Sequence, residues 1–284
     1  MLTIKKILLP LDLQEAALPL AVLHQAVTLA SHFQSEILLL HVVRPPAYMD
    51  ASDAGRELFE RAIGNEQETL KMLLGPEPDR FVVRRMVLQG DPAREILRAA
   101  GDRHCDLIMM PTHGYNAWGR FLLGSVTAKV LHHSECPVWT GAHLDSSAET
   151  FTIRNVLCAV DFSPHSPRTI RWARDLASEF GAALTLAHVT PGVEIYGPGG
   201  SYELPQMKQE LVSSAAKQMT TIQQELGTNA AAFIGSGDVP KVIHQAAADT
   251  KADVVVVGCR AVNGRLGTAG YGIIREARIP VVSV

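Results

Sequence analysis

The sequence repeats itself. Ile7-Leu-Leu-Pro-Leu-Asp12 returns 149 residues later as Val156-Leu-Cys-Ala-Val-Asp161. His41-Val42 and Gly90-Asp91 return 147 residues later as His188-Val189 and Gly237-Asp238, and Asp106-Leu-Ile-Met-Met-Pro111 returns at the same spacing as Asp253-Val-Val-Val-Val-Gly258. Pro137-Val138 matches Pro280-Val281 at a spacing of 143. The spacing changes only between anchors, where loop insertions and deletions fall. A chain of 284 residues with this pattern is two copies of one unit, expected at 1–141 and 153–284, with a linker at 142–152 where small and polar residues cluster.

Each copy has the same grammar. A short Ile/Leu/Val run ends at an Asp. An amphipathic stretch follows (16–33; 166–180), then a second apolar run (36–43; 183–189). Continuous apolar runs between helical patterns are what parallel strands look like when helices cover both faces of the sheet. A long helix is predicted at 56–74 and 204–226, a third strand at 80–88 and 230–234, and a helix at 93–100 and 240–250. Asp91 is suited to cap that helix and Pro92 to its first turn. A fourth strand at 107–110 or 254–257, a last helix at 124–133 or 268–277, and a fifth strand opening at Pro137 or Pro280 complete the unit. The expected fold is α/β: two tandem, doubly wound, Rossmann-like parallel sheets of five strands, with the ligand crevice beyond the strand C-termini.

Composition excludes several classes. The chain is 47% hydrophobic with a formal net charge of −3, so it builds cores and has no general attraction for nucleic acid or an anionic membrane. The first apolar run is broken by Pro10 and Asp12, too short for a signal or a span. Cys105, Cys136, Cys158 and Cys259 are scattered without a C-x-x-C pair, which fits free thiols and a cytoplasmic protein. His24, His32 and the pair His132-His133 lack a third ligand nearby, so no metal is expected.

The strongest local signal runs from Met110, Pro111, Thr112, His113, Gly114 and Tyr115 to Gly124, Ser125, Val126 and Thr127. Glycine after a strand and at the start of a helix lets backbone N–H groups approach an anion, and the helix N-terminus supplies unpaired donors and a favourable dipole. Arg120 adds a possible charge-assisted contact. Thr112, His113 and Gly114 also read as a tight structural turn. Asp12 and Asp161 end strands beside the crevice, where a carboxylate accepts hydrogen bonds from a ligand or caps the next helix.

These motifs resemble the universal stress protein family over nearly the whole chain. Its ATP-binding members carry G-x2-G-x9-G-[S/T] after strand four, and Gly114, nine residues, then Gly124-Ser125 match the last two elements. Asp12, His41-Val42 and Pro137-Val138 match the family's anchors at strands one, two and five. The resemblance implies adenine and ribose near Pro10, Leu11, Asp12 and Val42. It implies the triphosphate near Thr112, His113, Gly114 and Tyr115 and near Gly124, Ser125, Val126 and Thr127. The family's first glycine is Pro111 here, which removes a backbone donor. In the second copy Ala261 replaces the second glycine, and Gly258 and Gly267 are 9 apart where Pro111 and Gly124 are 13 apart. ATP, with or without Mg2+, is therefore expected in the first half, with Asp161, Val189, Gly258, Gly267 and Thr268 as the weaker second set. Related members dimerise, which implies an internal pseudo-dimer of the halves and a homodimer of the tandem chain.

Three functional classes stay open on these residues. One is a nucleotide-binding stress or signalling module; another is a structural or partner-binding protein whose loops are relics. The third is a slow ATPase, for which no Walker-type G-x4-G-K-[S/T] and no nucleophile–base set is present.

Overall fold

The computed structural model describes residues 2–13, 20–45, 53–74, 81–112, 123–141, 151–197, 200–259 and 267–284. The chain divides into two compact units, Thr3–Phe151 and Thr152–Val284. In the first, β1 (Lys6–Pro10), β2 (Glu36–Val43), β3 (Val83–Gln89), β4 (Leu107–Pro111) and β5 (Val138–Gly141) alternate with α1 (Leu20–Phe33), α2 (Asp53–Met72), α3 (Pro92–Asp102) and α4 (Ser125–His133). All its pairings are parallel, in the order β5-β4-β1-β2-β3.

The second unit repeats the plan. Its strands are β6 (Asn155–Ala159), β7 (Ala183–Thr190), β10 (Ala231–Ser236), β11 (Val254–Val257) and β12 (Val281–Ser283), and its helices are α5 (Ser166–Phe180), α6 (Pro205–Leu226), α7 (Val239–Asp249) and α8 (Thr268–Glu276). The parallel order is β12-β11-β6-β7-β10. One addition has no counterpart among the described residues of the first unit: β8 (Glu194–Gly197) and β9 (Gly200–Glu203) form an antiparallel hairpin before α6. The sequence pattern places only variable loop there, because the segment has no apolar alternation long enough to mark strands.

The inner strands carry no polar face because helices cover both sides. Ile7, Leu8, Leu9, Leu39, Leu40, Leu107, Ile108 and Met109 have no exposed surface, and neither do Val254, Val255 and Val256 of β11. Helix starts follow the local chemistry. Asp91 Oδ1 accepts from Arg94 N at 3.1 Å and Asp238 Oδ1 from Lys241 N at 3.2 Å, so both repeats of Gly-Asp cap their helix alike. Gly90 and Gly237 supply the positive φ (145° and 124°) that turns each strand into that cap.

A second pair of carboxylates closes each sheet. Asp106 Oδ2 accepts from the backbone N–H groups of Lys5 and Lys6 at 2.8 and 2.9 Å, and Asp253 Oδ2 does the same for Arg154 and Asn155 at 2.7 and 2.9 Å. Each ties the start of the first strand to the start of the fourth, across about a hundred residues of chain. The order of strands reverses between β1 and β4, and between β6 and β11. In open α/β sheets the crevice for ligands forms at that switch, outside the strand C-termini.

Candidate functional site

In the first unit the ends of β1, β2 and β4 open onto a cavity of about 360 Å³. Pro10, Leu11 and Asp12 leave β1 along one wall, and Val42 and Arg44 leave β2 beside them. Met110 and Pro111 from β4 and Gly124, Ser125, Val126 and Thr127 from the start of α4 also line it, with Pro92 and Ile96 of α3. The structure therefore brings together ten residues singled out from sequence.

The start of α4 is built to expose its donors. Gly124 occupies the N-cap with φ −59° and ψ 142°, and no side chain caps the helix. Its own N–H donates to Thr112 O at 2.8 Å, and the Thr127 hydroxyl donates to Pro111 O at 3.0 Å. The first turn is thereby fixed to the end of β4 while its free N–H groups stay uncapped by side chains, an arrangement that favours an anion. Thr112 is placed outside the cavity wall: it is buried, with its hydroxyl 3.4 Å from Gly141 O. His113, Gly114, Tyr115 and Arg120 lie outside the described residues.

Charge at this end is mixed. Arg44 lines the cavity, and Lys129 Nζ lies 3.8 Å from Asp91. The Arg94 backbone N–H holds the Asp91 carboxyl below its usual value, with smaller help from Lys129 and Arg44. Asp12 is the one carboxylate among the described lining residues. Groups of three or more His, Cys, Asp or Glu able to hold a metal ion are absent among the described residues.

Sequence reasoning missed Arg44, Pro92, Ile96 and His41 as wall residues. The signal for Arg44 was its place just beyond the apolar run of β2, which puts it at the crevice by topology alone. His41 is buried, and its Nδ1 lies 2.9 Å from Leu11 O.

The second unit has a matching cavity of about 280 Å³ at the ends of β6, β7 and β11. Asp161, Val189, Gly258 and Gly267 line it; Thr268 is exposed, and Ala269 and Gly270 line the wall in its place. A Cβ on Gly258 would stand 3.2 Å from Thr169 Oγ1, so the strand end passes close to α5. Asp161 is already engaged: its Oδ1 accepts from Ser163 N at 3.0 Å and from Ser166 Oγ at 2.8 Å. Burial works against its ionisation, but these hydrogen bonds outweigh it and hold the carboxyl below its usual value. Phe162, at φ 57°, packs its ring 4.2 Å from that of His188. Neither Lys nor Arg occurs among the described residues lining this cavity.

The model of the Universal stress protein family matches residues 3–140 and again 152–284. A universal stress protein of Methanocaldococcus jannaschii is 33% identical over 137 residues, covering 47% of this chain and 79% of its own length. A universal stress protein of Mycobacterium tuberculosis is 25% identical over 237 residues, 81% of this chain and 76% of its own length. Among solved structures, a universal stress protein from Archaeoglobus fulgidus superposes with a TM-score of 0.65 at 23% identity, covering 98% of this chain and 95% of that one. At that identity the likeness bears on the fold, which it shares along both units.

Proposed function

The chain belongs to the universal stress protein family, and from that membership we propose that its first unit binds an adenine nucleotide, ATP foremost, as a stress-response or signalling module. The observation that carries this reading is that one cavity is lined by both the uncapped N-terminus of α4 and Asp12. Phosphate suits the helix end, where N–H groups and dipole both favour negative charge. Asp12 suits ribose hydroxyls, since an ionised carboxylate is an acceptor only. With one carboxylate on the described walls, Mg2+ would arrive held chiefly by the phosphates.

The second unit reads as structural support. Asp161 is committed to Ser163 and Ser166, the described walls lack a cation, and the glycine spacing is four residues shorter. The proposal includes a cytoplasmic location and a homodimer of the tandem chain, the latter checked by light scattering of the purified protein. It treats the protein as a binding module; slow hydrolysis would appear as phosphate release during the same titrations.

The test is calorimetric titration of ATP, with and without Mg2+, into protein freed of nucleotide by unfolding and refolding. Binding at a single site per chain, lost in Gly124→Asp, supports the reading. Folded protein that gives no heat at high ATP overturns it in favour of a partner-binding role.

A further inference from the structure

The first unit has a second hollow, at the strand starts, on the end of the sheet opposite the crevice. It measures about 150 Å³ and is lined by Lys6 of β1, Glu36 and Leu38 of β2, Arg84 of β3, and Arg103 and Cys105 between α3 and β4. Three cationic side chains thus share one small concavity with a single carboxylate, in a chain whose formal net charge is −3.

The fold fixes where these cations stand while using few of their donors. Lys6 Nζ donates to Arg103 O at 3.0 Å, which anchors the ammonium and leaves its other hydrogens to spare. Arg84 Nε lies 2.6 Å from Glu36 Oε1, and its terminal amino groups have no partner among the described residues. Arg103 Nη2 lies 3.9 Å from Met86 Sδ, a weak acceptor. The floor adds no negative charge: Leu38 and Cys105 are buried, and desolvation raises the Cys105 thiol to about 11, so it stays neutral. Asp106 stands at the same end of the sheet, with its Oδ2 taken by the backbone N–H groups of Lys5 and Lys6.

The repeat supplies an internal comparison. Strand register and the paired Asp clasps match Lys6 with Asn155, Glu36 with Ala183 and Arg84 with Ala231. Arg103 and Thr250 are the C-caps of matching helices, and Cys105 matches Ala252, each donating its N–H to the corresponding helix carbonyl. Every charge in the hollow is therefore an uncharged residue in the second unit, which builds the same strand starts and the same clasp without them. Folding does not require the cluster. A set of cations gathered where packing has no use for them calls for an anion.

We propose that this hollow binds a phosphate-class oxyanion, free or as the phosphoryl head of a larger molecule. Guanidinium groups present paired N–H donors that match phosphate oxygens, and the ammonium adds a compact charge beside them. A volume of about 150 Å³ suits one phosphoryl group and is well below the several hundred cubic ångströms that a whole nucleotide-sized ligand fills. The site goes beyond the nucleotide reading and does not depend on it, since it lies at the other end of the strands and shares no lining residue with the crevice.

The experiment follows backbone amides by NMR in the full chain labelled with 15N and 2H, carrying Gly124→Asp so that the helix end in the crevice does not compete. Sodium phosphate is titrated at neutral pH, with sodium chloride at matched ionic strength as the reference. The amides of Lys6, Leu38, Arg84 and Cys105 are expected to shift and saturate with phosphate. Arg103→Gln, added to the same background, weakens that saturation about tenfold or more. It keeps the backbone carbonyl that orients Lys6, and an unchanged thermal midpoint shows that the fold is intact. Glycerol phosphate, titrated in turn, separates the two sources: saturation at similar affinity supports a phosphoryl head on a larger molecule, and saturation with inorganic phosphate alone supports the free ion. Strand-start amides that stay still, shifts that chloride reproduces, or an Arg103→Gln variant that binds phosphate as its parent does would each overturn the proposal, and none of them touches the nucleotide reading.

Discussion

The Thr127 hydroxyl donates to the Pro111 carbonyl across 3.0 Å, joining the first turn of α4 to the last residue of β4. Thr127 is 4% exposed, so water does not replace that bond when the hydroxyl is removed. Thr127→Val keeps the shape and leaves the Pro111 oxygen without this donor. Urea unfolding is expected to show a loss of about 1–2 kcal/mol. ATP affinity, measured by calorimetry, falls with it, because the helix end no longer has a fixed distance to the strand.

Gly124→Asp separates stability from binding. Gly124 has φ −59°, which any residue adopts, and Asp is a better N-cap than glycine. The variant is expected to be as stable as wild type or to gain a few tenths of a kcal/mol. Its carboxylate stands where the phosphates would lie, so nucleotide binding disappears. The matching Gly267→Asp in the second unit leaves the calorimetric stoichiometry unchanged; a halved stoichiometry there would show two working sites.

Asp161 sets an acid limit on the second unit. Its carboxyl is held below the usual carboxylate value by the hydrogen bonds from Ser163 and Ser166, despite partial burial. A depressed folded-state value contributes stability above the unfolded-state value, and that contribution is lost as pH falls through the folded one. The melting temperature is therefore expected to drop on acidification below about pH 4. Asp161→Asn should flatten that part of the curve while lowering stability at pH 7. An identical acid profile for wild type and variant rules the mechanism out.

Two glycine substitutions have opposite signs. A Cβ on Gly272 would stand 2.6 Å from Pro240 Cγ, a proline ring that cannot swing away, so Gly272→Ala forces α7 and α8 apart. Overpacking of this kind costs about 1–3 kcal/mol. Gly64, within α2, has open space where its Cβ would go. Gly64→Ala is expected to stabilise by about 0.5–1 kcal/mol in the same unfolding assay.

The thiols are graded by burial. Desolvation raises the Cys105 thiol to about 11, and the fully buried Cys158 is pushed higher still. Peptide mapping after iodoacetamide at pH 8 should find Cys136 and Cys259, which are partly accessible, modified well before either. Early labelling of Cys158 would mean that the second sheet opens far more readily than its packing implies.

Much of this architecture could be read before any coordinates. The predicted bounds of α5, β2 and β11 coincide with those found, because each is an uninterrupted apolar or amphipathic run between clear breakers. Asp91 and Pro92 were legible as a helix start because capping is local chemistry. Less legible were features that depend on what lies across the sheet. Nothing near His41 in sequence shows that Leu11 O and Glu66 meet its two nitrogens, since those partners are 30 and 25 residues away. The β8–β9 hairpin escaped because its strands are four residues each, too short for a periodic signal.

The clasp between Asp106 and the backbone of Lys5 and Lys6 bears on synthesis. β1 pairs with β2 on one side and β4 on the other, so one of its edges finds its partner soon after emerging, while the other waits until β4, about a hundred residues after β1 itself. At ribosomal speeds of about 5–20 residues per second, that interval lasts on the order of five to twenty seconds. During it, an apolar strand with four buried residues exposes an unpaired edge to every neighbouring chain. The nascent protein is most in need of a chaperone between the emergence of β1 and that of β4, and it meets the same exposure again when β6 waits for β11.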